Sequence, residues 1–257
     1  MQTGCACKTS AADKRATVMD IGLRLALAPV LLVQAIRVRA NALKLPEADG
    51  PRTGKLGFGP ALSLLILGDS SAAGVGVEHQ DHALAGQLVS LLARDFTVSW
   101  QLIAKTGATT GTTLKRLEEI SPTPFDVIVT GLGVNDITHA VRFKVWQKQQ
   151  AALMARLNQL FTPRLIYMSG LPPLGNFPIL PQPLRWTLGR QANRFDRALT
   201  SSLAALPDTH HVPFDKPLDP TQMAADGFHP GAGIYTLWAK EMASRIISDW
   251  PVVSDAR

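Results

Sequence analysis

The chain has 257 residues, 46% hydrophobic and 18% charged, a globular composition that excludes disorder over its whole length and suits one large domain with an appendage. Its formal net charge of +6 is unevenly placed: residues 1–57 hold nine Lys/Arg against four Asp/Glu, while the remaining 200 residues hold 17 against 16. A near-neutral body argues against a nucleic-acid groove, and the only cysteines, Cys5 and Cys7, can neither staple the fold nor, without a second ligand cluster, make a four-ligand metal site.

The first predicted element is the apolar stretch 18–39, flanked by basic residues. Its longest uncharged run, Leu25 to Ile36, contains Pro29 and falls short of the roughly 17–25 residues that one membrane crossing needs. Arg37 and Arg39 stand where a signal peptide would place small residues for cleavage. Two readings stay open. One is a helix with Pro29 in its first turn that packs on the body. The other is a peripheral anchor with Leu and Val in the acyl boundary and arginines on anionic lipid, on the cytoplasmic face of a membrane. Residues 46–60, rich in Gly and Pro, read as a linker. The expected division is therefore an arm and linker over 1–59, a catalytic domain over 60–250 and a tail over 251–257.

From residue 61 short apolar runs alternate with helix-period segments. Strands are expected at Leu62–Leu67, Thr97–Ala104, Asp126–Thr130, Arg164–Ser169 and His210–Phe214, continuous and apolar as parallel strands covered on both faces are. Between them, Leu84/Leu88/Leu91/Leu92, Leu153/Leu157/Leu160/Phe161 and Ile234/Trp238/Met242/Ile246 mark the buried stripes of amphipathic helices. This alternation predicts a doubly wound sheet of five parallel strands. Ligands in such sheets bind beyond the carboxyl ends of the strands. Four segments fall at those ends: Gly68-Asp69-Ser70, Thr106-Gly107-Ala108-Thr109, Gly131 to Asp136, and Asp226 to Pro230 before the last helix.

Those segments hold a complete set for acyl transfer. Ser70 is the candidate nucleophile, His229 its base, and Asp226, three residues earlier, can hold Nδ1 of that histidine and leave Nε2 for the serine proton. The backbone N–H groups of Ser70 and Gly107 and the side-chain amide of Asn135 are candidate donors to an oxyanion. Each block alone has an ordinary structural reading: a turn at Gly68-Asp69-Ser70 or Gly107, a helix cap at Asn135-Asp136, a packed histidine before Pro230. Their order and their common place at strand ends favour catalysis. A Gly-x-Ser-x-Gly elbow fails because Ala72 holds the fifth position, and Gly131-x-Gly133 has Asp136 where a dinucleotide fingerprint has glycine. The histidines His79, His82, His139, His210 and His211 form no convincing metal set.

Gly68-Asp69-Ser70, Gly107, Gly133-x-Asn135-Asp136 and Asp226-x-x-His229 together resemble the four signature blocks of the SGNH (GDSL-type) hydrolase family, across about residues 62–248. Ser71 departs from the leucine of the short motif. The resemblance implies a flavodoxin-like three-layer α/β/α sandwich and hydrolysis of carboxylic esters or thioesters with no metal or other cofactor. Ser70, Asp226 and His229 would be its catalytic residues and Ser70, Gly107 and Asn135 its oxyanion hole. The proline-rich loop 170–187 offers Leu174 and Phe177 as one wall of an acyl pocket, or else a stiff connection packed on the scaffold. The expected substrate is a small-molecule or lipid ester. Acyl transfer or thioester cleavage on the same site is the alternative, and a non-catalytic binding module the weakest reading.

Overall fold

The computed structural model describes the backbone of residues 11–214 and 219–254, and the side chains of 26–214 and 219–250. Cys5, Cys7 and the last three residues of the C-terminal tail lie outside the described residues.

The chain opens with helix α1 (Ala11–Asn41) and a short strand β1 (Thr53–Leu56). Strand β2 (Ala61–Gly68), helix α2 (Leu84–Leu92), strand β3 (Thr97–Ala104), helix α3 (Thr110–Leu117) and strand β4 (Val127–Gly131) follow. Helices α4 (Val134–Thr138) and α5 (Phe143–Phe161), strand β5 (Leu165–Ser169), helix α6 (Leu184–Leu203), strand β6 (Thr209–Val212) and helix α7 (Ala232–Ser254) complete it.

The sheet has six strands in the order β1-β3-β2-β4-β5-β6, not the five expected. All five strands read from the sequence are present and pair in parallel. The sixth, β1, runs antiparallel to β3 with Thr53 opposite Gln101 and Leu56 opposite Val98. It comes from the segment read as a linker. All four of its residues are exposed, so it shows none of the apolar alternation that marks a half-buried strand.

Both faces of the sheet are covered, which explains the unbroken apolar run of β2. Leu62, Leu64 and Ile66 pack with α2 and α7 in one core, alongside Leu84, Leu88, Met242 and Ile246. Leu65 and Leu67 point the other way into a second core with Leu153 and Leu157 of α5 and Phe195 and Leu199 of α6. The result is a three-layer α/β fold. After β2 the chain crosses to β3 on one side and then back to β4 on the other. That reversal puts a topological switch point at the carboxyl end of β2, and the parallel strands follow the 2-1-3-4-5 order of flavodoxin-like sheets.

Helix α1 does not begin at Pro29, which lies in its interior. The missing N–H costs one helical bond, but the inward face continues past it: Leu31 and Val38 pack on the second core, and Gln34 bonds the backbone at Gln182 and Leu184. No helix among the described residues is long and apolar enough to cross a membrane.

Candidate active site

Ser70 sits on the tight turn that leaves β2. Gly68 makes the turn possible, since a Cβ there would come within 2.4 Å of Ala72 Cβ and 2.7 Å of the Gly131 carbonyl oxygen. Backbone bonds from Asp69 N to Gly131 O (3.1 Å), Ala73 N to Asp69 O (2.9 Å) and Val75 N to Ser70 O (3.0 Å) hold the turn against β4. Tyr235 of α7 locks it from below, its buried hydroxyl meeting the carbonyl oxygens of Ser71 at 2.9 Å and Val75 at 2.8 Å.

His229 lies 2.9 Å from Ser70 through Nε2 and Oγ. Its Nδ1 faces Asp226 Oδ2 at 2.5 Å, and the other oxygen of Asp226 accepts from the backbone N–H groups of Phe228 (2.9 Å) and His229 (3.0 Å). Burial pushes the Asp226 carboxyl up, but the bonds from His229 and Phe228 outweigh it and hold the group below the usual carboxylate range. An ionised Asp226 therefore fixes the imidazole by its far nitrogen and leaves Nε2 turned to the serine. Pro230 does not open α7. Gly231 intervenes, bonded to Gln222 O at 3.0 Å, and the helix starts at Ala232.

Gly107 and Asn135 come from two further strand ends. In the loop after β3, Lys105 N donates to Gly68 O, Thr106 N to Glu47 and Ala108 N to Lys105 O. Gly107 N–H has no partner among the described residues, and neither has Ser70 N–H. Unpaired amides flanked by paired ones are what an oxyanion site requires. Gly107 has φ +79°, a left-handed conformation that glycine adopts without steric cost, and the space where a Cβ would stand is open. Asn135, in the first turn of α4, directs Nδ2 to Asp69 Oδ2 (3.2 Å) and to Ala108 O (3.1 Å). It thus ties the serine turn to the Gly107 loop. Beside it, fully buried Asp136 accepts from Thr110 N (3.0 Å) and Thr110 Oγ1 (2.9 Å), pinning the start of α3 to α4.

Asp69 is the least expected member of the group. It is buried, and its carboxylate accepts from Ser71 N (3.0 Å) as well as Asn135. Burial pushes its pKa up to about 7; the bond from Ser71 and the charge of His229 oppose the rise, and the nearby Asp136 adds to it.

Next to the serine turn lies a small cavity of about 60 Å³ with Phe177, Phe214, Met223, Phe228, Ile234 and Trp238 among its walls. Phe177, one of the two candidate wall residues, lines this cavity. Leu174 is fully buried in the second core and does not line the cavity. His211 meets Asp196 at 2.8 Å, and Asp196 anchors Leu171 N (2.9 Å) in the loop forming the cavity wall. Among the described residues no three His, Cys, Asp or Glu side chains cluster to hold a metal ion.

Residues 66–237 match the GDSL-like Lipase/Acylhydrolase family, and the chain belongs to it. It is a carboxylic ester hydrolase. Among solved structures it resembles the lipase Lip_vut3 from a goat rumen metagenome (TM-score 0.56, 18% identity, covering 71% of this chain and 96% of that one). It also resembles the psychrotrophic esterase EstA from Pseudoalteromonas sp. (0.55, 23%, 73% and 97%) and the acetylxylan esterase Axe2 from Geobacillus stearothermophilus (0.56, 18%, 73% and 95%). No curated protein sequence matches the chain.

Proposed function

We propose that the chain hydrolyses esters through an acyl-enzyme on Ser70. The observation that carries this reading is the continuous line from Asp226 Oδ2 to His229 Nδ1 and from His229 Nε2 to Ser70 Oγ. His229 takes the hydroxyl proton as Oγ attacks the ester carbonyl, and the imidazolium is stabilised by Asp226. The tetrahedral oxyanion accepts from Ser70 N–H, Gly107 N–H and one hydrogen of Asn135 Nδ2, which leaves a 3.1–3.2 Å bond to do so. His229 then gives the proton to the departing alcohol. Water repeats the sequence on the acyl-enzyme, releasing the acid and restoring the serine.

The apolar cavity beside the serine turn supports an acyl site for short chains. Its volume of about 60 Å³ is several times the roughly 10–15 Å³ that a cavity needs to hold one water, enough for a short acyl chain. Hydrolysis of p-nitrophenyl esters from acetyl to palmitoyl tests both parts. We expect an optimum at acetyl to butyryl and no turnover in Ser70→Ala. Activity surviving in that variant would mean another nucleophile, and a long-chain optimum would move the acyl site elsewhere.

The outer face of α1 supports a second element of the reading, a peripheral lipid contact. Val30, Leu32, Val33 and Ile36 are exposed there beside Arg37 and Arg39. Apolar side chains rimmed by arginines suit the interface of an anionic membrane.

A further inference from the structure

Residues 46–60 lie outside the family match, which begins at residue 66, yet they reach the two loops that carry the proposed site. Ala48 N donates to Ala73 O at 3.3 Å, and Gln80 Nε2 bonds both Ala48 O (3.2 Å) and Ala73 O (3.0 Å). Gly74 leaves the room for this approach: a Cβ there would stand 2.6 Å from Ala48 Cβ. The segment is therefore stitched to the serine turn. One residue earlier, Glu47 Oε1 accepts from Thr106 N at 2.7 Å and from Thr106 Oγ1 at 2.8 Å. Its other oxygen pairs with Arg52, which also donates to Ala104 O at 2.8 Å. Burial raises the Glu47 carboxyl, but the bonds from Thr106 and Arg52 outweigh it, so it is held ionised below the usual range.

Thr106 directly precedes Gly107. Lys105 N is tied back to Gly68 and Ala108 N to the loop itself, so Glu47 is the one side chain among the described residues that grips the peptide leading into Gly107. The space beside Gly107 is open, and nothing described packs on it from that direction. We infer that Glu47, backed by Arg52, is a positioning residue that sets the Gly107 N–H at its place in the oxyanion hole. The inference rests on the reading of Gly107 as an oxyanion donor. Charge-assisted bonds to a backbone N–H are short and directional, and an oxyanion donor works only when preorganised, so a loosened Thr106 lowers the rate of the chemical step rather than the affinity for the ester.

The test compares Glu47→Ala and Glu47→Gln with the parent enzyme, with kcat expressed per serine titrated by a fluorophosphonate so that misfolded protein does not count. Glu47→Ala should lower kcat about 10-fold, less than the 10²–10³ of a deleted donor, with KM within about twofold. The affinity of an alkylboronic acid, whose serine adduct is tetrahedral, should fall by the same factor. Glu47→Gln keeps an acceptor for Thr106 and should recover most of both. If Glu47→Ala yields no titratable enzyme, Glu47→Met, with similar length and no such acceptor, answers the same question. Unchanged kcat and boronate affinity in the variant lacking the acceptor would overturn the inference, as would an equal loss in Glu47→Gln. A Ser70→Ala enzyme that stays active would instead bring down the catalytic reading beneath it.

Discussion

Asp69→Asn probes how much stability the serine turn gives up for its geometry. The carboxyl has its ordinary pKa of 3.8 in the unfolded chain and about 7 in the fold. Between those values the folded state binds more protons than the unfolded one, so stability falls as pH rises through that window and levels off above it. A shift of about three units corresponds to about 4 kcal/mol. Asparagine removes the charge but has one oxygen. It can accept from Ser71 N or from Asn135, not both, and the lost bond returns about 1–3 kcal/mol of the gain. The variant should therefore be more stable than the parent by about 2 kcal/mol at pH 9 and less stable by a similar amount below pH 4. Urea unfolding of both proteins from pH 4 to 9 measures the difference, in which the opposite slope contributed by Asp226 cancels. Parallel stability curves across pH 4 to 7 would refute the reasoning, because they would mean that Asp69 ionises as freely in the fold as outside it.

Asn135→Ala should lower kcat by about 10²–10³ with KM little changed, read from initial rates on a short-chain p-nitrophenyl ester; an unchanged kcat would remove the amide from the oxyanion site. Sedimentation with phosphatidylserine vesicles should carry down the full chain and lose it on Ile36→Glu with Leu32→Glu, while vesicles of neutral lipid should bind weakly; equal recovery in all supernatants would dismiss the lipid contact of α1.

The blocks that meet at the candidate site were legible because each is local. Asp226 and His229 are three residues apart, and Ser70, Gly107 and Asn135 each follow an apolar strand within a few residues. Strand order then brings them together without further help from the sequence. What stayed hidden depends on distant partners. Strand β1 is four exposed residues with a glycine among them, and only pairing with β3, more than forty residues away, makes it a strand. Glu47 stands in a Pro/Gly-rich stretch and draws its meaning from Thr106. Leu174 and Phe177 both looked like wall residues, yet a short 3₁₀ turn buries the first and gives the second to the cavity. Pro29 suggested a helix start, whereas the inward face that runs through it is set by the body of the protein.

The same short strand has a bearing on how the molecules behave in a crowd. The sheet ends on one side with β1 and on the other with β6, each four residues long. A long bare edge invites strand-to-strand pairing between molecules, and short edge strands blunt it. Behind β1 lies the eight-residue β3, and the most apolar strands, β2, β4 and β5, are interior. Residues 53–56 thus act as a hem along the sheet, leaving neighbouring copies little backbone to grip.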